Sequence, residues 1–72
     1  MTMGVILPGE YEFSVGAKEI MNITSGTAEV LLPNENEWQK VEQGKSFTVI
    51  ANSSYKIKGD NTVEYLCSYI NE

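Results

Sequence analysis

The stretch PGEYEFSVGAKEIMNITSG, Pro8 to Gly26, decides how the rest of the chain reads. Tyr11, Phe13 and Val15 alternate with Glu10, Glu12 and Ser14, which is the period of a strand. Pro8-Gly9 before it and Gly16-Ala17-Lys18 after it are turn formers. A second run, Glu19–Thr24, follows and is closed by Ser25-Gly26. The stretch is two short strands in a frame of turns, with no 3.6-residue apolar period.

The same grammar holds outward in both directions. Candidate strands are Met3–Leu7, Glu10–Val15, Glu19–Thr24, Thr27–Leu32, Trp38–Glu42, Ser46–Ile50, Tyr55–Lys58 and Thr62–Ile70. Pro33-Asn34-Glu35-Asn36, Gln43-Gly44, Asn52-Ser53-Ser54 and Gly59-Asp60-Asn61 separate the later ones. Turn signals at such short, regular spacing predict an all-β barrel or sandwich, in a single domain spanning residues 1–72. In the last strand Val63, Tyr65, Cys67 and Tyr69 alternate with Glu64 and Ser68, a buried face against a polar one.

Composition narrows the functional classes. Ten acidic residues face five lysines, the net charge is -5, and there is no arginine. Nucleic-acid binding needs clustered cations to neutralise phosphates, so it is not expected. An anionic membrane surface is disfavoured for the same reason. No apolar run reaches the roughly 20 residues of a spanning helix, and the N-terminus MTMGVILPGE has no signal-peptide pattern. One cysteine, Cys67, fits a reducing, cytoplasmic setting and reads as a small buried hydrophobe.

Glu19, six residues, then Gly26 resembles the spacing of the first motif of the cupin barrel. The positions where metal-binding cupins carry a His pair fall on Glu12 and Ser14, and Tyr55 falls near a second-motif His. The chain contains no histidine. Transition metals want nitrogen or sulfur ligands, so no metal is expected, and a metal-dependent isomerase or dioxygenase is disfavoured. The motif turns Glu12 and Ser14 into the barrel, whereas simple alternation buries Tyr11, Phe13 and Val15. Both hold if the mouth is polar and the aromatic face packs on a partner.

An ordered set of residues extends this resemblance. It comprises Gly9-Glu10-Tyr11, Phe13-Ser14, Glu19, Met21, Gly26, Glu29-Val30-Leu31-Leu32-Pro33, Trp38-Gln39, Gly44, Phe47, Ala51-Asn52-Ser53-Ser54, Tyr65, Cys67 and Tyr69. From about Gly4 to Ile70 the chain looks like the pyrimidine/purine nucleoside phosphorylase family of small bacterial cupins. The resemblance implies a cupin-type jelly-roll β-barrel that cleaves nucleosides with inorganic phosphate as co-substrate. The products are a free base and ribose 1-phosphate, with no cofactor. The chain is N-terminally short against the family pattern, and Ile50 stands where many members have proline. A barrel short of a strand exposes an edge, so a homodimer with strand pairing or exchange is expected.

Phosphorolysis needs donors for phosphate, support for the leaving base, and a carboxylate near an oxocarbenium-like ribose. Glu19 and Glu12 are the carboxylates at cavity-facing positions of the motif. Ser14, Phe47, Tyr55, Tyr65 and Tyr69 are candidates for holding substrate, because every base offers a π-face for stacking; Trp38 could stack likewise. Lys18, Lys40, Lys45, Lys56, Lys58 and the Asn52-Ser53-Ser54 turn are the available phosphate donors, although each also reads as ordinary surface. The rival reading is a non-catalytic small-molecule-binding or structural cupin, its phosphate site lost with the N-terminal segment.

Overall fold

The computed structural model describes residues 1–70 and consists of strands and turns. The strands are β1 (Thr2–Ile6), β2 (Gly9–Val15), β3 (Lys18–Ser25), β4 (Thr27–Leu31), β5 (Gln39–Glu42), β6 (Ser46–Val49), β7 (Ser53–Gly59) and β8 (Val63–Ile70). All eight expected strands are present. The main shift is at β7, which begins at Ser53, so Ser53 and Ser54 are strand residues instead of turn residues.

Two four-stranded sheets form, ordered β1-β8-β3-β6 (sheet A) and β2-β7-β4-β5 (sheet B). The antiparallel pairs β1·β8, β2·β7, β3·β6 and β4·β5 are nested. The chain is thus one long hairpin, bent between β4 and β5 and rolled so that β3·β8 and β4·β7 also pair. This is the all-β architecture that the spacing of turns predicts, in the cupin-like jelly-roll form that the family resemblance implies.

The core lies between the sheets. Val30, Val49, Ile57, Ile23 and Val63 are almost completely buried, joined by Ala28, Met21, Cys67, Val41, Tyr55, Phe47, Val15 and Ile6. Each occupies the inward position of a period-2 alternation, and β-branched side chains fill a pleated surface well. Outward on sheet B, Glu10, Lys58, Glu29 and Lys40 stand in one cross-strand row of alternating charge, a favourable arrangement of neighbours.

Two turns pin the roll. Gly26, between β3 and β4, has φ +87, and a Cβ there would lie 2.6 Å from the Thr62 carbonyl oxygen. Its neighbour Thr27 is clasped by Asn61, whose Oδ1 accepts from the Thr27 N–H (3.2 Å) and whose Nδ2 donates to the Thr27 carbonyl (3.1 Å). The β3–β4 and β7–β8 turns are thereby locked together at one end.

Candidate functional site

At one end of the barrel the inner faces of the two sheets part around a cavity of about 150 Å³. It is lined by Thr2, Ile6, Phe13, Ser14, Val15, Glu19, Met21, Tyr55, Tyr65, Cys67 and Tyr69. Strand register explains the gathering. On sheet A, Glu19 stands opposite Tyr69, Met21 opposite Cys67 and Ile23 opposite Tyr65, so alternate residues of β8 and β3 face inward together. On sheet B, Phe13 stands opposite Tyr55.

Five of the expected site residues therefore meet: Glu19, Ser14, Tyr55, Tyr65 and Tyr69. Two do not. Phe47 is a core residue, 6% exposed, packed edge-on against Tyr55 with ring centroids 5.7 Å apart; it supports a lining residue and is not one. Glu12 is exposed on the outer face of β2, opposite Lys56. The motif-based expectation that Glu12 faces the barrel is corrected by the register. Phe13 pairs with buried Tyr55, and Val15 at the end of the same face is buried, so the alternation leaves Glu12 outside. Ser14 reaches the cavity only as part of its rim on the edge strand β2.

An aromatic path runs from surface to core. Tyr11 and Phe13 stack at 6.1 Å, Phe13 meets Tyr55 at 5.8 Å, and Tyr55 meets Phe47. Phe13 and Tyr11 remain over a third exposed, so the path is open at its outer end. Trp38 is not in the lining: its ring lies under the Lys58 ammonium, 4.0 Å from the centroid, and Lys58 stands on the outward face of sheet B.

The electrostatics of the cavity are simple. Among the described residues Glu19 is the one carboxylate in the lining, and no lysine lines it. The Cys67 thiol donates to Glu19 Oε1 at 3.2 Å. Burial, then the Glu19 hydrogen bond and charge, push the thiol up to about 11, against weaker opposing hydrogen bonds from Tyr69 and Thr2. Burial and then Glu19 raise Tyr55 far above the ordinary phenol range, and burial and then Cys67 raise Tyr65. Cys67, Tyr55 and Tyr65 therefore keep their protons at neutral pH, and the cavity sets thiol and hydroxyl donors beside the Glu19 side chain, an arrangement able to accept from ribose hydroxyls and to donate to a base or to phosphate oxygens.

The lysines offered as phosphate donors lie outside this lining. Lys40 pairs with Glu42 at 3.6 Å on the exposed surface. Lys56 stands opposite Glu12, and Lys58 covers Trp38. In the Asn52-Ser53-Ser54 segment, Ser53 Oγ donates to the Ile50 carbonyl at 2.6 Å and Asn52 adopts φ 56, so Ser53, at the start of β7, bonds the backbone of the turn that leads into it. A second, wider concavity of about 660 Å³ opens on the outer face of sheet B, lined by Glu10, Glu29, Lys40, Lys58, Asp60 and Asn61 among others. Among the described residues no three Cys, Asp or Glu side chains converge as metal ligands.

Phe13, Cys67 and Thr2 line the cavity although the sequence reading did not place them among the candidate site residues. Cys67 was legible, because it alternates with Tyr65 and Tyr69 and must share their face. Thr2 carried no signal; its place follows from the β1·β8 register, which sets it opposite Cys67.

Fold and cavity together define a cupin-like barrel whose pocket holds a carboxylate and phenols in place of imidazoles. Residues 1–69 match the family model described as pyrimidine/purine nucleoside phosphorylase, and the chain belongs to that family. It is 51% identical over 69 residues to a pyrimidine/purine nucleoside phosphorylase of Chlorobium chlorochromatii, and 44% identical to one of Colwellia psychrerythraea. Each alignment covers 96% of this chain and 66% of the relative, so the chain spans just under two thirds of their length. Among solved structures, a protein of unknown function from Acinetobacter sp. ADP1 superposes with TM-score 0.92 at 34% identity, covering 94% of this chain and 67% of that one. A Thermotoga maritima protein superposes with TM-score 0.81 at 16% identity, covering 96% and 77%; it shares the fold.

Proposed function

We propose that this chain carries the nucleoside site of a phosphorylase that converts pyrimidine and purine nucleosides and phosphate into free base and ribose 1-phosphate. The observation that carries this reading is the convergence of Glu19 with Tyr55, Tyr65, Tyr69 and Phe13 around one cavity. The relatives named for this activity support it.

In the reaction a phosphate oxygen forms a bond to ribose C1′ as the C1′–N bond breaks. The electron pair of that bond leaves with the base nitrogen, which is protonated. Positive charge builds on the ribose in the transition state, and the Glu19 carboxylate stabilises it; charge matched to the transition state is what accelerates the step. Phe13 and Tyr69, at the open end, offer π-faces to any base, which suits a broad range. Protonated phenols donate to the departing base. Phosphate, an anion, is met by neutral donors such as Thr2, Ser14 and Tyr69 at the rim.

The working unit is a homodimer built along β1. This strand is the edge of sheet A; its outward residues Met3 and Val5 are 83 and 58% exposed, and Met1 and Leu7, which flank it, are exposed as well. An apolar edge strand is a template for pairing with another strand.

The decisive measurement is product analysis with uridine, adenosine and phosphate. Phosphate-dependent base release is expected, and Glu19→Gln lowers kcat by about 100-fold, the scale of a lost electrostatic stabiliser. Base release that ignores phosphate, or unchanged turnover in the variant, overturns the reading. One observation favours a binding-only cupin instead: among the described residues the lining carries no lysine. In that case nucleoside binds, by calorimetry, without turnover.

A further inference from the structure

Cys67 and Glu19 are diagonal neighbours on the inner face of sheet A, where Cys67 stands opposite Met21 and Glu19 opposite Tyr69. A glutamate on a strand has free side-chain torsions and sweeps a wide arc unless something holds it. Here its Oε1 accepts from the Cys67 thiol at 3.2 Å. The sulfur is 3% exposed as part of its residue, and it sits between this carboxylate and Thr2, its register partner on β1. A cysteine acting only as a space-filler would need no acceptor in line with its S–H, and its surroundings would be apolar. Instead the thiol is the meeting point of a carboxylate and hydroxyls in the wall of the cavity.

From this geometry we infer that Cys67 is a positioning residue: its thiol holds Oε1 of Glu19, so that the carboxylate's other oxygen is presented to the nucleoside. The inference rests on the ribose-side role proposed for Glu19. Glu19, Tyr55, Tyr65 and Tyr69 are the titratable groups that face the sulfur. Burial and the glutamate keep the thiol protonated at neutral pH, so it serves as a donor and not as a nucleophile.

Two measurements test this. In the first, kcat and KM for uridine with phosphate are compared among wild type, Cys67→Ser and Cys67→Ala. Serine keeps a donor at the same place, whereas alanine leaves Glu19 unheld. Alanine is expected to lower kcat about tenfold with little change in KM, the worth of one hydrogen bond to a charged group. Serine is expected to restore most of that loss. A merely structural role gives no such recovery, because a hydroxyl in a sulfur-sized space packs no better than alanine. Alanine equal to wild type, or serine no better than alanine, overturns the inference.

The second measurement needs no turnover. The chain has a single cysteine, so alkylation by iodoacetamide against pH reports on Cys67 alone. Glu19→Gln removes the neighbouring charge and is expected to move the alkylation profile to lower pH. An unmoved profile overturns the contact and with it the inference. Failure of the functional reading is distinguishable. A protein without phosphorolysis whose profile does move keeps Cys67 as the residue that holds Glu19 and removes only the reaction.

Discussion

Gly4 is bare because the Tyr65 ring occupies the space that a side chain would take; a Cβ built there would sit within the phenol ring. Tyr65 is a wall of the cavity, so the glycine protects the site more than the fold. Gly4→Ala is expected to raise KM for nucleoside about tenfold while shifting Tm little, because the displaced ring is near the surface and can swing aside. Steady-state kinetics beside a thermal melt separates the two effects. Gly26 differs. Its φ of +87 and the Thr62 carbonyl behind it leave room for no Cβ. Gly26→Ala is expected to cost about 1–3 kcal/mol from the backbone strain alone, read as a lower denaturation midpoint in urea.

Edge strands carry the two questions that alternation leaves open. On β2 both faces are exposed except at Val15, so its own burial hardly distinguishes them. The neighbour decides: Tyr55 and Ile57 of β7 are buried, and their partners Phe13 and Tyr11 must share that face. On β1 the inward Ile6 is buried while Met3 and Val5 point outward. Val5→Lys puts a charge in the middle of that outward row without touching the core. The wild type is expected to be a dimer by light scattering at micromolar concentration, and the variant a folded monomer by scattering and circular dichroism. A monomeric wild type overturns assembly along this strand.

For the molecule as a whole, the groups with raised pKa values dictate how stability responds to alkali. Cys67 goes from an ordinary value of 9.0 to about 11 in the folded chain, and Tyr55 and Tyr65 are raised as well. Above pH 9 the unfolded chain has lost protons that the folded chain keeps. Stability from Cys67 is therefore full below about pH 9 and is lost as pH rises toward 11, and that from Tyr55 and Tyr65 begins to be lost above pH 10.0. Urea midpoints are expected to be flat from neutral pH to about 9 and then to fall. Cys67→Ala removes part of that slope, and a variant as pH-sensitive as wild type argues against the thiol's share.

The fold class was legible because it rests on local chemistry. A strand announces itself by alternation and a turn by glycine, proline or asparagine, and both signals recur along the chain. Alternation on β8 places Tyr65, Cys67 and Tyr69 on one face with no knowledge of any neighbour. The cavity is another matter. Glu12 and Glu19 look alike as carboxylates at motif positions, and Phe47 looks like any aromatic on an alternating strand. Which of them meets the cavity depends on the register between strands distant in the chain, where a shift of one residue turns every side chain to the opposite face. In the register that forms, Phe13 packs on Tyr55, and Tyr55 packs across to Phe47 of the facing sheet. The Pro8–Gly26 stretch dictates strands and turns through its own residues; that Glu19 looks inward at Cys67 while Glu12 looks outward at Lys56 is decided only when β2 meets β7 and β3 meets β8.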